Sequence, residues 1–305
     1  DDSGFIDSEE YADSNLLETF DTEEDSGYIA VSTKIPIEFK YEGTTLYFRL
    51  KEGNTEAKLP DCPTVVAAKW ARQDMEANAQ AVTKIVIGNG ITAIGKNNFC
   101  AGGNQLFENL AEVEVPSTLK EIGFGAFQGD SKLTKFDFSN LKSIGSVAFA
   151  GTGLTDVSIP SDGVVFGDEA FYDCEKLSSV TIGNSELSEG IFSDCSSLTN
   201  LHYESKLVDI PASAFQRTAL SSFDFNGIES IGAKAFQGTR LETINLPNVK
   251  KIERNAFLSS AVKTISFGMT DLSVDGSAFS NCNDLAAICY AGSREQWKNL
   301  AISAS

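Results

Sequence analysis

The stretch Leu110–Gln128, LAEVEVPSTLKEIGFGAFQ, decides the fold. Its first half sets Leu110, Val113 and Val115 in the spacing apolar-x-x-apolar-x-apolar. The last four positions of such a block alternate, which suits a strand with one buried face. Pro116 then turns the chain, and the second half runs Leu119-x-x-Ile122-Gly123-x-x-Ala126-Phe127.

Working outward, the same unit recurs. Its phenylalanine returns at Phe99, Phe127, Phe149, Phe171, Phe192, Phe215, Phe236, Phe257 and Phe279, with gaps of 22, 22, 21, 23, 21, 21 and 22 after a first gap of 28. A period near 22 residues is the signature of stacked repeats. Five residues before each Phe stands an apolar residue: Ile94, Ile122, Ile144, Phe166, Leu187, Ile210, Ile231, Ile252 or Val274. Glycine often follows it, at Gly95, Gly123, Gly145, Gly167 and Gly232, where it would permit a tight bend or positive φ. Alanine usually precedes the Phe, small enough for rungs to approach closely. Two units match the pattern least well. Ser188 and Ile191 replace Gly and Ala in one, and Asn98 replaces Ala in the first, which also carries an insertion. No repeat buries its apolar face alone, but stacked neighbours cover one another.

The unit L-x-x-[IVF]-x-[IF]-P-x-x-[VL]-x-x-I-G-x-x-A-F-x-x-C resembles the BspA-type leucine-rich repeat family of bacterial surface proteins, over about residues 82–300. Cys174, Cys195 and Cys282 fall three residues after their Phe, where that family often carries Cys. The resemblance implies a β-rich leucine-rich-repeat solenoid, a right-handed superhelix with one continuous parallel β-sheet. It also implies a bacterial protein, exported or surface-attached, that adheres to a protein on a host cell, a neighbouring cell or the matrix. A structural spacer and a glycan-binding protein are the alternatives.

The ends read differently. Residues 1–30 hold eleven acids and no base, more than half of the formal charge of −19, and read as a solvated tether. A calcium loop at Asp21–Asp25 lacks the glycine and distal glutamate in register. Residues 31–81 read as a capping hairpin, with strands over 35–41, 45–50 and 55–59, followed by a short helix within Val65–Ala81. The repeat domain then takes residues 82–305, about nine to ten units, with a C-terminal cap around Trp297. Ser293-x-x-Gln296 has the spacing of a capping box. The Asp-Asp start without Met reads as a trimmed or mature chain, and a lipid anchor upstream would fit an exported protein.

The chemistry-bearing motifs are few. His202 is the only histidine, which excludes a multi-histidine metal site, and it falls at an outward strand position. No dinucleotide or Walker motif appears, and the glycines belong to the repeat. The sequence pI near 4.4 argues against nucleic acid, which needs a basic stripe. No apolar run is long enough to span a membrane. The reading is a non-enzymatic, monomeric protein without catalytic residues, metal or cofactor. Cys174 and Cys195, equivalent on adjacent rungs, are either bridged or buried free thiols.

What remains is the outward strand face. One register column reads Val86, Glu114, Asp137, Ser158, Thr181, His202, Asp224, Asn245, Ser266, Cys289. The column two residues earlier reads Lys84, Glu112, Lys135, Asp156, Ser179, Asn200, Ser222, Thr243, Thr264, Ala287. The partner-binding residues expected from them are Glu112, Glu114, Lys135, Asp137, Asp156, Ser158, Asn200, His202, Asp224 and Asn245. Neither column contains Phe, Tyr or Trp, which disfavours a sugar platform, and the short hydroxyls and amides suit many weak polar contacts with an extended partner.

Overall fold

A computed structural model describes residues 29–32, 35–61, 76–100, 107–160, 163–204, 207–268 and 271–299. The acid-rich stretch at Asp21–Asp25, most of the expected helix and most of the first-repeat insertion lie outside the described residues. The chain winds as a β-solenoid with two columns of parallel strands. The column of longer strands includes Lys84–Ile87, Glu112–Glu114, Asp156–Ile159, Ser179–Ile182, Asn200–Tyr203, Thr243–Leu246, Thr264–Phe267 and Ala287–Tyr290. The second column is made of short strands such as Glu121–Ile122, Ser143–Ile144 and Ser230–Ile231, which end on the apolar residue before the glycine position.

Between the columns stands the phenylalanine stack. Neighbouring rings from Phe99 to Phe279 lie 5.2–6.0 Å apart and within 8–29° of parallel. All but Phe279 are fully buried. A third ladder of backbone hydrogen bonds runs beside them. The N–H of each Phe donates to the carbonyl of the residue before the next Phe, as in Phe127 to Ala148 (2.8 Å), Phe192 to Ala214 (3.0 Å) and Phe236 to Ala256 (2.7 Å).

The repeat glycines act by close approach and not by positive φ. Gly95, Gly123, Gly145, Gly167 and Gly232 all keep negative φ. A Cβ on any of them would meet backbone of the preceding rung at 2.2–2.6 Å. The left-handed conformations sit instead two residues before and two after the Phe of most repeats, often on Gly, Asn or Asp, as at Gly125, Gly129, Gly151, Gly190, Gly238, Asn255 and Asn281, but on other types as well. Asn97, Val147, Glu169, Ser213 and Lys234 take φ of 49–59° before it, and Asp173, Asp194, Arg217 and Ser259 take 55–65° after it. A β-branched residue is the least suited to that region. The left-handed region costs an L-residue about 1–2 kcal/mol, and glycine returns about 0.5–1 kcal/mol of that as chain entropy. Val147→Gly is therefore expected to stabilise the fold by about 0.5–1 kcal/mol, read as a raised urea midpoint. A lowered midpoint would mean that the half-buried Val147 side chain packs more strongly than its backbone is strained.

At the N-terminal end, Ile35–Glu42 and Thr45–Leu50 form the expected antiparallel hairpin, and Thr45–Leu50 pairs in parallel with Lys84–Ile87. A further strand, Ile29–Ser32, pairs antiparallel with Ile35–Glu42, so the expected tether gives way to sheet by Ile29. Only Glu76–Ala81 of the expected helix is described, and it is helical. At the other end Arg294–Asn299 is helical, with the capping box formed both ways. The Ser293 N–H donates to Gln296 Oε1 (2.8 Å), and the Gln296 N–H donates to Ser293 Oγ (3.2 Å). Trp297 packs on Tyr290 of the last strand, ring centroids 5.7 Å apart.

The longer-strand column is not one continuous sheet. It divides into three: the hairpin with Lys84–Ile87 and Glu112–Glu114, then Asp156–Tyr203, then Thr243–Tyr290. The breaks fall at the two Phe-Asp-Phe sequences, Phe136–Phe138 and Phe223–Phe225. Phe136 and Phe223 occupy the first inward position, which in the paired rungs holds Val, Ile or Leu. Phe136 reaches both Phe127 (5.4 Å) and Phe149 (4.9 Å), and Phe223 reaches both Phe215 (5.5 Å) and Phe236 (4.9 Å). A side chain wide enough to wedge against two stack rings holds its own backbone out of ladder range. Turns add to the break: Asp137 Oδ1 accepts from Ser139 N–H (2.9 Å) and Asp224 Oδ1 from Asn226 N–H (3.0 Å).

Candidate functional site

The outward columns lie where their sequence register puts them. Asp156 pairs with Ser179 and then Asn200; Ser158 pairs with Thr181 and then His202. Thr243 and Asn245 align with Thr264 and Ser266, then with Ala287 and Cys289. In Asp156–Ile159, Ser179–Ile182 and Thr243–Leu246 the inward residues are buried at alternate positions, and the shared register puts the outward side chains of each sheet on one side.

The ten candidate residues do not lie on one unbroken sheet. Lys84 bonds both Glu112 (3.1 Å) and Glu114, so these two acids already share a cation. Their carboxylates hold the Lys84 ammonium above its ordinary pKa. An exposed network of this kind contributes little stability but fixes local charge. Lys135 aligns with Glu112 through a single isolated backbone β-bridge, outside any strand. Asp137 and Asp224 sit in the two turns that interrupt the column, with one oxygen of each committed to the backbone. Asn245 accepts from Ser266 Oγ at 2.8 Å. That leaves Asp156, Ser158, Asn200 and His202, with Ser179 and Thr181 between them, as the contiguous polar patch on the central sheet.

The cysteine position is a hydrogen-bond position. Cys174, Cys195 and Cys282 are free thiols. Each donates to a Phe carbonyl of the preceding rung at 3.1 Å: Phe149, Phe171 and Phe257 respectively. Thr152, Thr218, Thr239 and Ser260 occupy the same place in other repeats and donate to the Phe carbonyl of their own rung at 2.7–2.9 Å. Burial pushes the Cys195 and Cys282 thiols up, which leaves them protonated and able to donate. This role was missed in the sequence; the interchange of Cys with Thr and Ser three residues after the Phe is the signal that points to it. Another charged contact was missed because it crosses repeats at unrelated residue types. Arg217 grips Asp194 with two guanidinium nitrogens, and this holds the Asp194 carboxyl below the usual carboxylate range.

Among the described residues no three His, Cys, Asp or Glu side chains converge to hold a metal ion, and no helix is long and apolar enough to cross a membrane.

Two columns of parallel strands wound around a phenylalanine stack, with a polar outward face, define a leucine-rich-repeat protein. The model of the BspA type leucine rich repeat region matches in six copies, over residues 77–185, 103–221 and 164–286. The chain belongs to that family. Among solved structures it is similar to a leucine-rich repeat protein from Bacteroides ovatus, with 25% identity and a TM-score of 0.62 over 86% of this chain and 70% of that one. A leucine-rich repeat protein from Eubacterium ventriosum is 20% identical, with a TM-score of 0.52 over 85% of this chain and 83% of that one, and shares the fold. No curated protein sequence matches the chain.

Proposed function

We propose that this chain is a non-enzymatic binding protein, secreted or held at the bacterial surface, that takes an extended segment of a partner protein on the central strand face. The observation that carries the reading is the registered polar patch Asp156/Ser158, Ser179/Thr181 and Asn200/His202. Its rungs repeat at strand spacing and present short donors and acceptors that need little ordering on contact. Membership in the BspA-type repeat family supports an adhesive role on host, neighbouring-cell or matrix proteins. In the same reading the N-terminal hairpin and the helix bearing Trp297 close the two ends of the apolar stack.

The test is biolayer interferometry of the chain against immobilised matrix and cell-surface proteins. Saturable binding is expected to at least one, and Thr181→Arg is expected to weaken it tenfold or more, equal to about 1.4 kcal/mol. Such an outward substitution should leave stability within about 0.5 kcal/mol. A panel without saturable binding, or binding indifferent to Thr181→Arg, overturns the reading.

A further inference from the structure

The short-strand column opens at one place. It runs unbroken to Val165–Phe166 and resumes at Asp209–Ile210. Between them Glu186, Leu187 and Ser188 form no strand, and their backbone groups make no hydrogen bond to backbone among the described residues. Ser188 stands at the glycine position, and its hydroxyl takes the Gly167 carbonyl at 2.8 Å. A side chain there does not by itself part the rungs: Glu253 and Asp275 hold the same position and still donate from N–H to the carbonyls of Ile231 and Ile252 at 2.9 Å. The next rung completes the break. It carries Pro211 where Gly232 donates to Ile210, and proline has no N–H. The Leu187 rung therefore loses a ladder bond on each side.

The opening is a cleft of about 670 Å³, within the range of ligand pockets. Val165, Leu187 and Val208, from three successive rungs, line it. Val165 is 67% exposed and Val208 49%, two of the four large apolar side chains exposed among the described residues. Glu186 and Asp209 stand beside them, and neither pairs with Lys or Arg among the described residues. Asp209 Oδ1 accepts from Ser230 Oγ. The wall is already anchored, since Ser185 Oγ accepts from Val164 N–H (3.0 Å) and its carbonyl accepts from the Tyr203 hydroxyl (2.8 Å).

We propose that this cleft binds an extended segment of a partner protein in which apolar and basic residues alternate. Apolar side chains cover Val165, Leu187 and Val208, basic ones reach Glu186 and Asp209, and the segment's main chain bonds the backbone groups left open at Leu187. Alternation is what an extended strand presents, because successive side chains point to opposite faces, and long basic side chains bend back to reach a rim. The site is separate from the polar strand face and stands or falls apart from it.

Titration calorimetry and methyl NMR of the chain with an acetylated, amidated pentapeptide of alternating valine and lysine test it. Saturable binding that weakens with salt is expected, with methyl shifts at Val165, Leu187 and Val208. Val165→Lys, at an exposed position, should weaken binding at least tenfold. Glu186→Gln with Asp209→Asn should weaken it and flatten its salt dependence, while Thr181→Arg leaves it unchanged. Absence of saturable binding, equal binding of a valine–glutamate pentapeptide, or shifts confined to other methyls overturns the proposal.

Discussion

Phe192→Ala is expected to lower the free energy of unfolding by about 3–5 kcal/mol, the range for emptying a buried phenylalanine site. The ring is fully buried and stacked between Phe171 at 5.6 Å and Phe215 at 6.0 Å, both within 16° of parallel. A site of this kind cannot close on itself after truncation. The backbone at residue 192 is pinned by its N–H bond to Ala214, and the Phe171 carbonyl is pinned by Cys195. The neighbouring rings therefore stay at their own rungs and face a void, and the cavity cost adds to the lost transfer energy. Phe279→Ala is the control. That ring ends the stack, with Phe257 stacked on one face at 5.2 Å and Phe267 edge-on at 6.4 Å, and is half-buried, so its loss should cost clearly less. The urea midpoints of the two variants decide. An unchanged midpoint for Phe192→Ala, or equal losses at both positions, would contradict a stack whose interior rings each close their neighbours' core.

The stack was legible because one residue type recurs with one period, and the outward columns were legible because that period fixes register. Asp156, Ser179 and Asn200 align because each stands two residues after the leucine that opens its block, Leu154, Leu177 and Leu198. The breaks were not legible from periodicity. Phe136-Asp137-Phe138 has the same apolar-x-apolar pattern as Ile244-Asn245-Leu246, and the pattern takes no account of side-chain width. A signal did exist: both interruptions pair two phenylalanines around an aspartate and run into Ser139-Asn140 or Asn226-Gly227, which are turn residues. The left-handed positions had half a signal: two residues after the Phe they fall mostly on Gly129, Gly151, Asp173, Asp194, Gly238 and Asn281, types that tolerate this backbone, whereas two residues before it Val147, Glu169 and Lys234 share no chemistry and take it from the stacking of rungs. The cleft had half of one. Ser188 was visible as a departure from the repeat, but its consequence needs Pro211 on the next rung, a pairing that only the winding brings together.

Gly167→Ala is expected to destabilise by about 2–4 kcal/mol, and the reason separates the two uses of glycine in this chain. Gly167 keeps an ordinary negative φ, so alanine meets no conformational penalty there. Space is the whole difficulty. A Cβ would lie 2.2 Å from the Ser146 backbone nitrogen and 2.7 Å from the Gly145 carbonyl carbon, and backbone cannot swing aside as a flexible side chain can. Overpacking of this kind costs about 1–3 kcal/mol. Parting the rungs would also stretch the bond from Gly167 N–H to the Ile144 carbonyl, now 2.8 Å, worth about 1 kcal/mol net. Gly151→Ala is the opposite case. Its φ is +67°, and a Cβ would meet nothing closer than 3.7 Å, so it should cost only the left-handed penalty of about 1–2 kcal/mol. Chemical denaturation of both variants reads the difference, and amide exchange locates it. Gly167→Ala should raise exchange at the Gly167 N–H beside strand Val165–Phe166, whereas Gly151→Ala should leave that strand protected. If the two substitutions cost the same and neither loosens that strand, the repeat glycines are serving backbone conformation after all. The close packing of rungs would then not be what keeps a side chain out of this position in five of the repeats.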